Sequence, residues 1–370
     1  MKVLLPMAPF SAGEVADVNP PRLDQAFVND SVDGPTGKIP RVSSSLKRED
    51  HCGTIKARLG VNRMNYIVDP GLYALGEPDK NSPVLVTSNY KMSFDFLRQA
   101  MSGRSAWILS LDTRGINVWC AAGKGTFGTH ELVRRIAASD LKNLVTHRDL
   151  ILPQLGAPGI AAHLVKQLSG FKVHYGPVLA KDIPVYLDTG MKATPDMRRK
   201  DFPLEERMAL IPIELLDALK ATIIAIPVLL IIIGLSGSEG FIENIVTDGA
   251  VPIIAIMGAV ISGAVLNPIL LPYLPGRAFT TKGFTIGILT ALFLLPLSGF
   301  NIYTVKGIAT ICAWFLIISS ISAFLAMNFT GASTYTSLSG VRKEMKWALP
   351  LEIGTGLIGL AVWVFSRFAL

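Results

Sequence analysis

The sequence predicts an α/β domain followed by an all-α bundle of five transmembrane helices. Of the 370 residues, 50% are hydrophobic and 17% are charged, an unusually apolar composition for a soluble protein. Most of the charged residues lie before residue 221, and long apolar runs dominate the remainder. Between residues 65 and 184, short β-branched runs alternate with helical patterns. A soluble domain therefore precedes a membrane domain.

We divide the chain into four parts. Residues 1–60 are rich in Pro, Ser, Asp and Lys and are predicted to form an irregular arm. Residues 61–190 form the α/β domain, 191–220 a basic linker and 221–370 the transmembrane domain. Pro6 and Pro9 interrupt the N-terminal apolar residues, so export is not expected. His51 and Cys52 are a weak metal or redox motif because no further ligand type accompanies them.

The α/β domain is predicted to contain a parallel sheet covered by helices on both faces. Strands are expected at 66–68, 84–87, 107–111, 144–146 and 172–175, and helices at 94–101, 131–138 and 161–168. Ligands of such sheets bind at the carboxyl ends of the strands. The loops expected there are 87–89, 113–128, 147–148, 154–159 and 175–177. Their hydroxyls and amides suit a ligand with many amides and a phosphate, and they suit a nucleotide equally well.

The octet 117–124, Asn-Val-Trp-Cys-Ala-Ala-Gly-Lys, contains the best candidate for a reactive centre. Cys120 stands at a predicted helix start, four residues before Lys124, and both features favour the thiolate, a strong ligand for a soft metal. Ala121, Ala122 and Gly123 leave room for a planar group. Residues 123–126 lack the first glycine of a phosphate loop, which argues against an NTPase.

The other cysteines and the net charge add little. Cys52, Cys120 and Cys312 have no short mutual spacing, so neither a disulfide framework nor an iron–sulfur or zinc cluster is expected from this chain alone. Cys312 is expected to pack inside its helix bundle. The net charge of +7 does not predict nucleic-acid binding, because the basic residues lack interleaved aromatics and many flank membrane helices.

Five apolar segments are long enough to span a membrane. They are residues 221–238, 250–271, 283–300, 307–327 and 348–367. The linker and the loops with Arg277 and Lys282, and with Lys343 and Lys346, are basic, whereas the loop at 239–248 is acidic. The positive-inside rule therefore places the α/β domain in the cytoplasm and the C-terminus outside the cell inner membrane. We expect the transmembrane domain to serve as an anchor and assembly platform. The alternative that residues 267–268 and 328–339 line a small polar passage stays open.

The octet resembles the HgcA family, the membrane-bound corrinoid proteins of microbial mercury methylation. Residues 86–91, 125–129, 151–159, 190–195 and 327–331 also resemble segments of that family. The α/β domain is similar, too, to the corrinoid-binding domain of the corrinoid iron–sulfur protein of the acetyl-CoA pathway. That second family carries a four-cysteine cluster and no membrane helices, both unlike this chain.

The resemblance implies a Rossmann-like corrinoid-binding domain that passes a methyl group from a methyl-corrinoid to Hg(II), forming methylmercury. Cys120 would be the catalytic residue and the lower axial ligand of cobalt. Lys124 would either stabilise the thiolate or be an ordinary solvated residue. The cofactor-binding residues implied are Thr87, Ser88, Asn89, Asn117, Val118, Trp119, Cys120, Ala121, Ala122, Gly123, Lys124, Gly125, Thr126, Phe127, Arg148, Gln154, Leu155, Gly156 and Gly176.

The resemblance also implies partners. An HgcB-like ferredoxin with two [4Fe–4S] clusters would reduce the cobalt, a methyl-folate-linked donor would supply the methyl group, and a higher-order assembly with the ferredoxin is compatible with these roles. Two alternatives stay open. One is a corrinoid methyl carrier of one-carbon or acetyl-CoA-type metabolism, and the other is a non-enzymatic membrane anchor.

Overall fold

A computed structural model of the chain describes residues 18–237, 239–297, 299, 301–329 and 338–369. The chain divides after Lys200 into two compact units. We call residues 18–200 the α/β unit and the described residues from 201 onward the helical unit. The predicted linker at 191–220 is therefore shared between the two units.

The α/β unit is built on a seven-stranded mixed sheet. The strands are β1 (Val28–Gly34), β2 (Gly37–Val42), β3 (Gly71–Leu75), β4 (Val84–Ser88), β5 (Ala106–Leu111), β6 (Asp149–Leu152) and β7 (Lys172–Tyr175). Their order is β1-β2-β3-β5-β4-β6-β7. Strands β5, β4, β6 and β7 are mutually parallel, whereas β3 is antiparallel to β5. The predicted parallel sheet is thus confirmed for four strands.

Residues 28–58, predicted to be irregular, are ordered. They form the hairpin β1–β2 and helix α1 (Arg48–Arg58), and β2 joins the sheet by pairing with β3. Strand β1 is mostly partly buried or exposed because it is an edge strand. An edge strand needs few apolar residues, so its sequence lacks a clear alternating pattern.

Helices cover both faces of the sheet. They are α2 (Lys91–Ala100), α3 (Val118–Lys124), α4 (Thr129–Ala138), α5 (Leu141–Leu144), α6 (Ala162–Ser169) and α7 (Ile183–Asp188). Val84 and Val86 of β4 belong to one hydrophobic cluster, which includes Leu132 of α4. Leu85 belongs to a second cluster, which includes Phe94 of α2. This alternation is the pleat of a strand buried on both faces.

Two predicted strands are wrong. Residues 66–68 make only an isolated bridge, between Ile67 and Tyr90. Leu144 is the last residue of α5, residues 145–146 follow that helix, and the strand of this region is β6, which starts at Asp149. Residues 147–148 consequently precede β6 instead of following a strand, which moves them to the opposite edge of the sheet.

A buried cluster of four charged side chains fastens α1 to α2. Lys91 Nζ lies 2.5 Å from Asp50 Oδ1 and 2.8 Å from Asp95 Oδ2. Arg98 lies 2.7 Å from Asp50 and 2.8 Å from Asp95 through Nη2 and Nε. Burial raises the pKa of Asp50, but bonds from Lys91, the Lys47 N–H and Arg98 outweigh it and lower the pKa to about 2. The two carboxylates and the two cationic side chains therefore compensate each other's charge inside the α/β unit.

The helical unit contains eight described helices. They are α8 (Leu204–Met208), α9 (Ile211–Ser236), α10 (Phe241–Asp248), α11 (Ala250–Ile261), α12 (Asn267–Leu270), α13 (Phe279–Leu294), α14 (Val305–Asn328) and α15 (Leu338–Phe368). A π-helical turn, Ser262–Leu266, joins α11 to α12.

Four helical stretches of this unit have the length and composition to cross a membrane. They are Leu204–Ser236, Ala250–Leu270, Val305–Asn328 and Lys343–Phe368. The span predicted at 283–300 corresponds to α13, which has 16 residues and is shorter than the others. At 1.5 Å per residue, such a helix reaches about 24 Å, less than a typical hydrocarbon core of about 30 Å. The expectation of five full-length spans is therefore not confirmed.

Small residues bring α13 and α14 together. A Cβ added at Gly283 would lie 2.6 Å from Ala323 Cα, and one at Gly287 would lie 2.7 Å from Ser319 Cα. Such close backbone approach is typical of helix packing in membranes. Cys312 is exposed on α14, so the expectation that it packs inside the bundle is wrong.

We expect Asp50→Asn to weaken the acid dependence of stability of the α/β unit. The folded-state pKa of Asp50, about 2, lies below the ordinary value. Its stabilising contribution is therefore complete above a pH of about 4 and is lost as the pH falls toward the folded pKa. Urea midpoints of the detergent-solubilised chain, followed by amide hydrogen exchange in β4 and α2, test this from neutral pH downward.

The matched control is Asp33→Asn, because the Asp33 side chain is 88% exposed and pairs with Lys38 at the surface. This control should keep the acid dependence of the parent chain. Equal acid dependence of the Asp50→Asn variant and the parent would contradict the role assigned to the buried cluster.

Candidate functional site

The octet forms a short helix with a complete N-cap. The side chain of Asn117 accepts a hydrogen bond from the Cys120 backbone N–H over 2.9 Å, and α3 runs from Val118 to Lys124. Gly125, with a φ of +83°, ends the helix. Cys120 is partly exposed. Its thiol therefore lies in the first turn of the helix that follows the carboxyl end of β5.

Helix α3 is seated by close contact with the turn at 154–159. A Cβ added at Gly159 would lie 2.1 Å from the Phe127 carbonyl oxygen and 3.1 Å from Ala122 Cα, and one at Gly156 would lie 2.6 Å from the Phe127 ring. Ala121 and Ala122 are 0% and 5% exposed. These two alanines face the core, so the expectation that they leave a free face for a planar group is wrong.

The outward face of α3 is formed by other residues of the octet. Gly123 and Lys124 are exposed, and Val118, Trp119 and Cys120 are partly exposed. Gly125 is exposed as well, with open space where a side chain would be. A bulky group approaching α3 from outside would therefore meet the thiol, the indole and backbone without side chains.

Asn89 fixes the loop that leads to α3. Its carboxamide oxygen accepts hydrogen bonds from the Thr113 N–H at 3.0 Å, the Thr113 hydroxyl at 2.9 Å and the Gly115 N–H at 3.2 Å. Asn89 is 2% exposed. Because this oxygen is already used inside the chain, Asn89 positions the site by holding the loop of the adjacent strand.

Other predicted rim residues at this edge are mostly buried. Thr87 and Ser88 are 4% and 0% exposed. The Ser88 hydroxyl has no hydrogen-bond partner among the described residues. Phe127 belongs to the core, and Thr126 contacts the Ala121 carbonyl through its hydroxyl at 3.5 Å. Ser88 thus offers an unused polar group at the carboxyl end of β4.

The remaining predicted rim residues follow β6 and β7. The Gln154 side-chain oxygen accepts a hydrogen bond from Arg198 over 2.8 Å, and Leu155 is partly exposed. Gly156 and Gly176 are buried, and the Gly176 N–H bonds the Leu152 carbonyl at 2.8 Å. These residues form the rim at the carboxyl edge of the sheet. Gly156 packs closely against the Phe127 ring there.

Arg148 lies at the other edge of the sheet. It precedes β6, and its guanidinium donates to the carbonyls of Lys142, Val145 and His147. It also stacks on Phe171, with its Cζ 5.4 Å from the ring centre. The prediction that Arg148 binds the same ligand as Cys120 is therefore wrong, and its cause is the misplaced strand at 144–146.

The free thiol of Cys120 is not predisposed to ionise. Burial raises its pKa above the ordinary value, while Lys124, Asn117 and Arg63 lower it without outweighing burial. The expectation that Lys124 favours the thiolate agrees in direction, but burial outweighs it and the pKa of the free thiol is raised. Arg63 was not foreseen, because it lies in a short turn, Arg63–Asn65, more than 50 residues before Cys120.

The site fits a soft metal delivered by a cofactor. A bound metal displaces the thiol proton, so a raised pKa in the free protein does not prevent thiolate ligation. The partly exposed Cys120, the side-chain-free backbone at Gly123 and Gly125 and the unused Ser88 hydroxyl are compatible with the corrinoid that the resemblance implies. Over the described ranges, no three His, Cys, Asp or Glu side chains are grouped to hold a metal by themselves.

Comparison with known proteins places the similarity in the α/β unit. Residues 62–187 match the family model of the CO dehydrogenase/acetyl-CoA synthase delta subunit. The acetyl-CoA decarbonylase/synthase complex subunit gamma of Methanopyrus kandleri is 31% identical over 123 residues, which is 33% of this chain and 26% of that protein. Subunit gamma 2 of Methanosarcina thermophila is 35% identical over 128 residues, with the same coverage of each chain.

These matches concern one part of the chain. This chain spans about a quarter of the length of these relatives. The region matched by the family model contains β3 to β7 and the octet, and it ends before the helical unit begins. The family model therefore covers the candidate site.

We expect Lys124→Gln to raise the pKa of Cys120 further, because the lysine charge stabilises the thiolate. With Cys52 and Cys312 replaced by serine, the alkylation rate of Cys120 should then rise at a higher pH than in the parent. The control is Lys142→Gln, which removes an exposed lysine from α5. An unchanged pH profile after Lys124→Gln would show that Lys124 is only a solvated residue.

Proposed function

We propose that this chain is a corrinoid-dependent methyl-transfer protein and that Cys120 is the thiolate ligand of the cobalt. The observation that carries the proposal is the position of Cys120, partly exposed on α3 at the carboxyl edge of the sheet. The support beyond the geometry is the octet and the similarity of the α/β unit to acetyl-CoA decarbonylase/synthase gamma subunits.

The residues around the thiol have separable tasks. A bound methyl-corrinoid supplies a methyl group that leaves with the electron pair of its bond to cobalt. Cys120 donates electron density to the metal, and Lys124 compensates the thiolate charge. Asn117 fixes the helix start through its bond to the Cys120 N–H. Trp119, Gly123 and Gly125 form the contact surface for the macrocycle, with Val118 at its edge.

We propose Hg(II) as the methyl acceptor. A thiolate is a stronger electron donor than imidazole, so ligation by Cys120 would favour transfer of methyl together with the electron pair of its bond to cobalt. That pair would form the new carbon–mercury bond with Hg(II), a soft electrophile. The octet, with its resemblance to the mercury-methylating family, is the feature that favours this acceptor.

A carbon-pathway acceptor is the second candidate, and the comparisons favour it over mercury. The similar gamma subunits are named as parts of acetyl-CoA decarbonylase/synthase complexes. In this alternative the protein carries methyl groups for one-carbon metabolism, and the same α3 geometry serves a different acceptor. The role of Cys120 as cobalt ligand is common to both candidates.

The partners and location belong to the same proposal. The helical unit would anchor the protein in the cell inner membrane with the α/β unit in the cytoplasm. A ferredoxin-like protein with two [4Fe–4S] clusters would return the cofactor to its reduced form, and a methyl-folate-linked protein would recharge it. A multi-subunit assembly agrees with the complexes in which the similar gamma subunits are named.

We expect Cys120→Ala to abolish methyl transfer to Hg(II) while membrane insertion is retained. Cys120→His should retain only a small part of the rate, because imidazole donates less electron density than thiolate. The measurements are methylmercury formation and the visible spectrum of the purified corrinoid-loaded protein, which should differ among these variants. The control is Cys52→Ala, an exposed cysteine on α1. Full activity of Cys120→Ala would remove the thiol from the mechanism.

Acceptor identity is tested by single-turnover transfer. The methylated protein is mixed with Hg(II) or with the methyl-accepting subunit of an acetyl-CoA synthase, and loss of the labelled methyl group is followed. We expect faster transfer to Hg(II). Faster transfer to the carbon acceptor would establish the second candidate, and a purified chain that takes up no corrinoid would refute both.

A further inference from the structure

Glu352 is a buried carboxyl group inside the helical unit. It lies on α15 and is 2% exposed. Neither of its carboxyl oxygens has a hydrogen-bond partner among the residues that the structure describes. The helix around it, Lys343–Phe368, is one of the stretches apolar enough to span a membrane. An ionisable side chain at such a position is expected to be functional.

The neighbours of Glu352 come from α13 and α14. The Ser320 hydroxyl donates a hydrogen bond to the Glu352 backbone carbonyl. A Cβ added at Gly356, one turn further along α15, would lie 3.0 Å from the same hydroxyl. Thr280, in the first turn of α13, bonds Glu344 and lies near Glu352. Glu352 therefore has neighbours on both α13 and α14.

Charged side chains on α13 and α15 form hydrogen bonds with groups other than Glu352. Glu344, two turns earlier on α15, accepts bonds from the Thr280 N–H at 2.8 Å and the Thr280 hydroxyl at 3.0 Å. Lys282 of α13 donates to the carbonyls of Leu271 and Leu274 at 2.7 and 2.6 Å. Residues 313–328 of α14 contain no charged residue. No ion pair with Glu352 is present in the described part of the chain.

An ionised carboxylate without a partner in this setting would carry a large desolvation cost. A proton removes that cost, whereas a hard cation such as Ca²⁺ needs about six oxygen ligands. Glu352 and Thr280 supply too few oxygens for such a cation. Ser319 and Ser322 on α14 are buried, with hydroxyls that lack partners among the described residues, so polar groups continue along α14 beside Ser320.

We propose that Glu352 is a proton-binding site of the helical unit and that its proton exchanges with the surrounding solution. A proton-binding site would give the helical unit a function beyond membrane anchoring. The inference does not rest on the proposed methyl-transfer function, because it uses no residue of the α/β unit.

Infrared difference spectroscopy of the full chain in lipid tests the proposal. Subtracting the spectrum of Glu352→Gln should leave the carbonyl stretch of one protonated carboxylic acid at pH 7, and this band should shift when H₂O is replaced by D₂O. Glutamine is close in shape to a protonated glutamate, so this variant is expected to fold. The matched control, Glu344→Gln, removes a carboxyl group that already bonds Thr280 and should leave the Glu352 band in place.

Modification by a hydrophobic carbodiimide provides a second measurement. Such a reagent partitions into apolar surroundings, so buried Glu352 should react while exposed Glu239 remains unmodified. Absence of the infrared band would overturn the proposal, and a band that D₂O leaves unshifted would overturn the exchange. Equal modification of Glu352 and Glu239 would also count against it.

Discussion

The position of Cys120 depends on the contact between α3 and the turn at 154–159. Gly159 lies so close to Phe127 and Ala122 that a methyl group there would overlap a backbone carbonyl. A seven-residue helix has little intrinsic stability, so tertiary packing has to hold it. Ala121 and Ala122 provide that packing, and the thiol of Cys120 is left on the opposite, more open side.

Asn89 provides a second constraint on the position of α3. It directly follows β4, the strand that pairs with β5. Its single oxygen collects three donors from residues 113 and 115, where the chain leaves β5 and turns toward α3. After β4 the chain continues to α2 on one face of the sheet, whereas after β5 it continues to α3 on the other face. The site therefore forms where connections from adjacent parallel strands diverge, as in other open α/β sheets.

Sequence patterns predicted only some of the strongly buried parts of this fold. Strands β4 and β5, which are buried throughout, were predicted from continuous apolar runs, and so was β7, which is only partly buried. Strand β3 is also buried throughout and was missed. The edge hairpin β1–β2 was missed because an edge strand has little apolar face to bury. The strand placed at 144–146 shows the converse limit, since Leu144 ends α5, Val145 and Thr146 follow it outside any strand, and the true strand starts at Asp149.

The site was predictable in location but not in the tasks of its residues. The octet identified Cys120, yet local sequence does not reveal that Ala121 and Ala122 face inward, because that depends on Gly159, some 40 residues later. Arg148 was assigned to the wrong edge through a shift of a few residues in one strand. Arg63 carries no recognisable pattern at all. Roles that depend on tertiary neighbours need coordinates, whereas the candidate reactive residue can be proposed from its local motif.

Partial burial of the Cys120 thiol has opposite effects on its ionisation and on its attraction to a metal cation. Desolvation raises the pKa of Cys120 and so disfavours the thiolate, which is the more nucleophilic form. The same desolvation strengthens the attraction between a thiolate and a metal cation once both are present, because charges interact more strongly where water is excluded. Lys124, Asn117 and Arg63 limit the energetic cost of ionisation without removing it. In the proposed function, a positively charged metal centre that takes the place of the proton would therefore offset the cost of ionising Cys120.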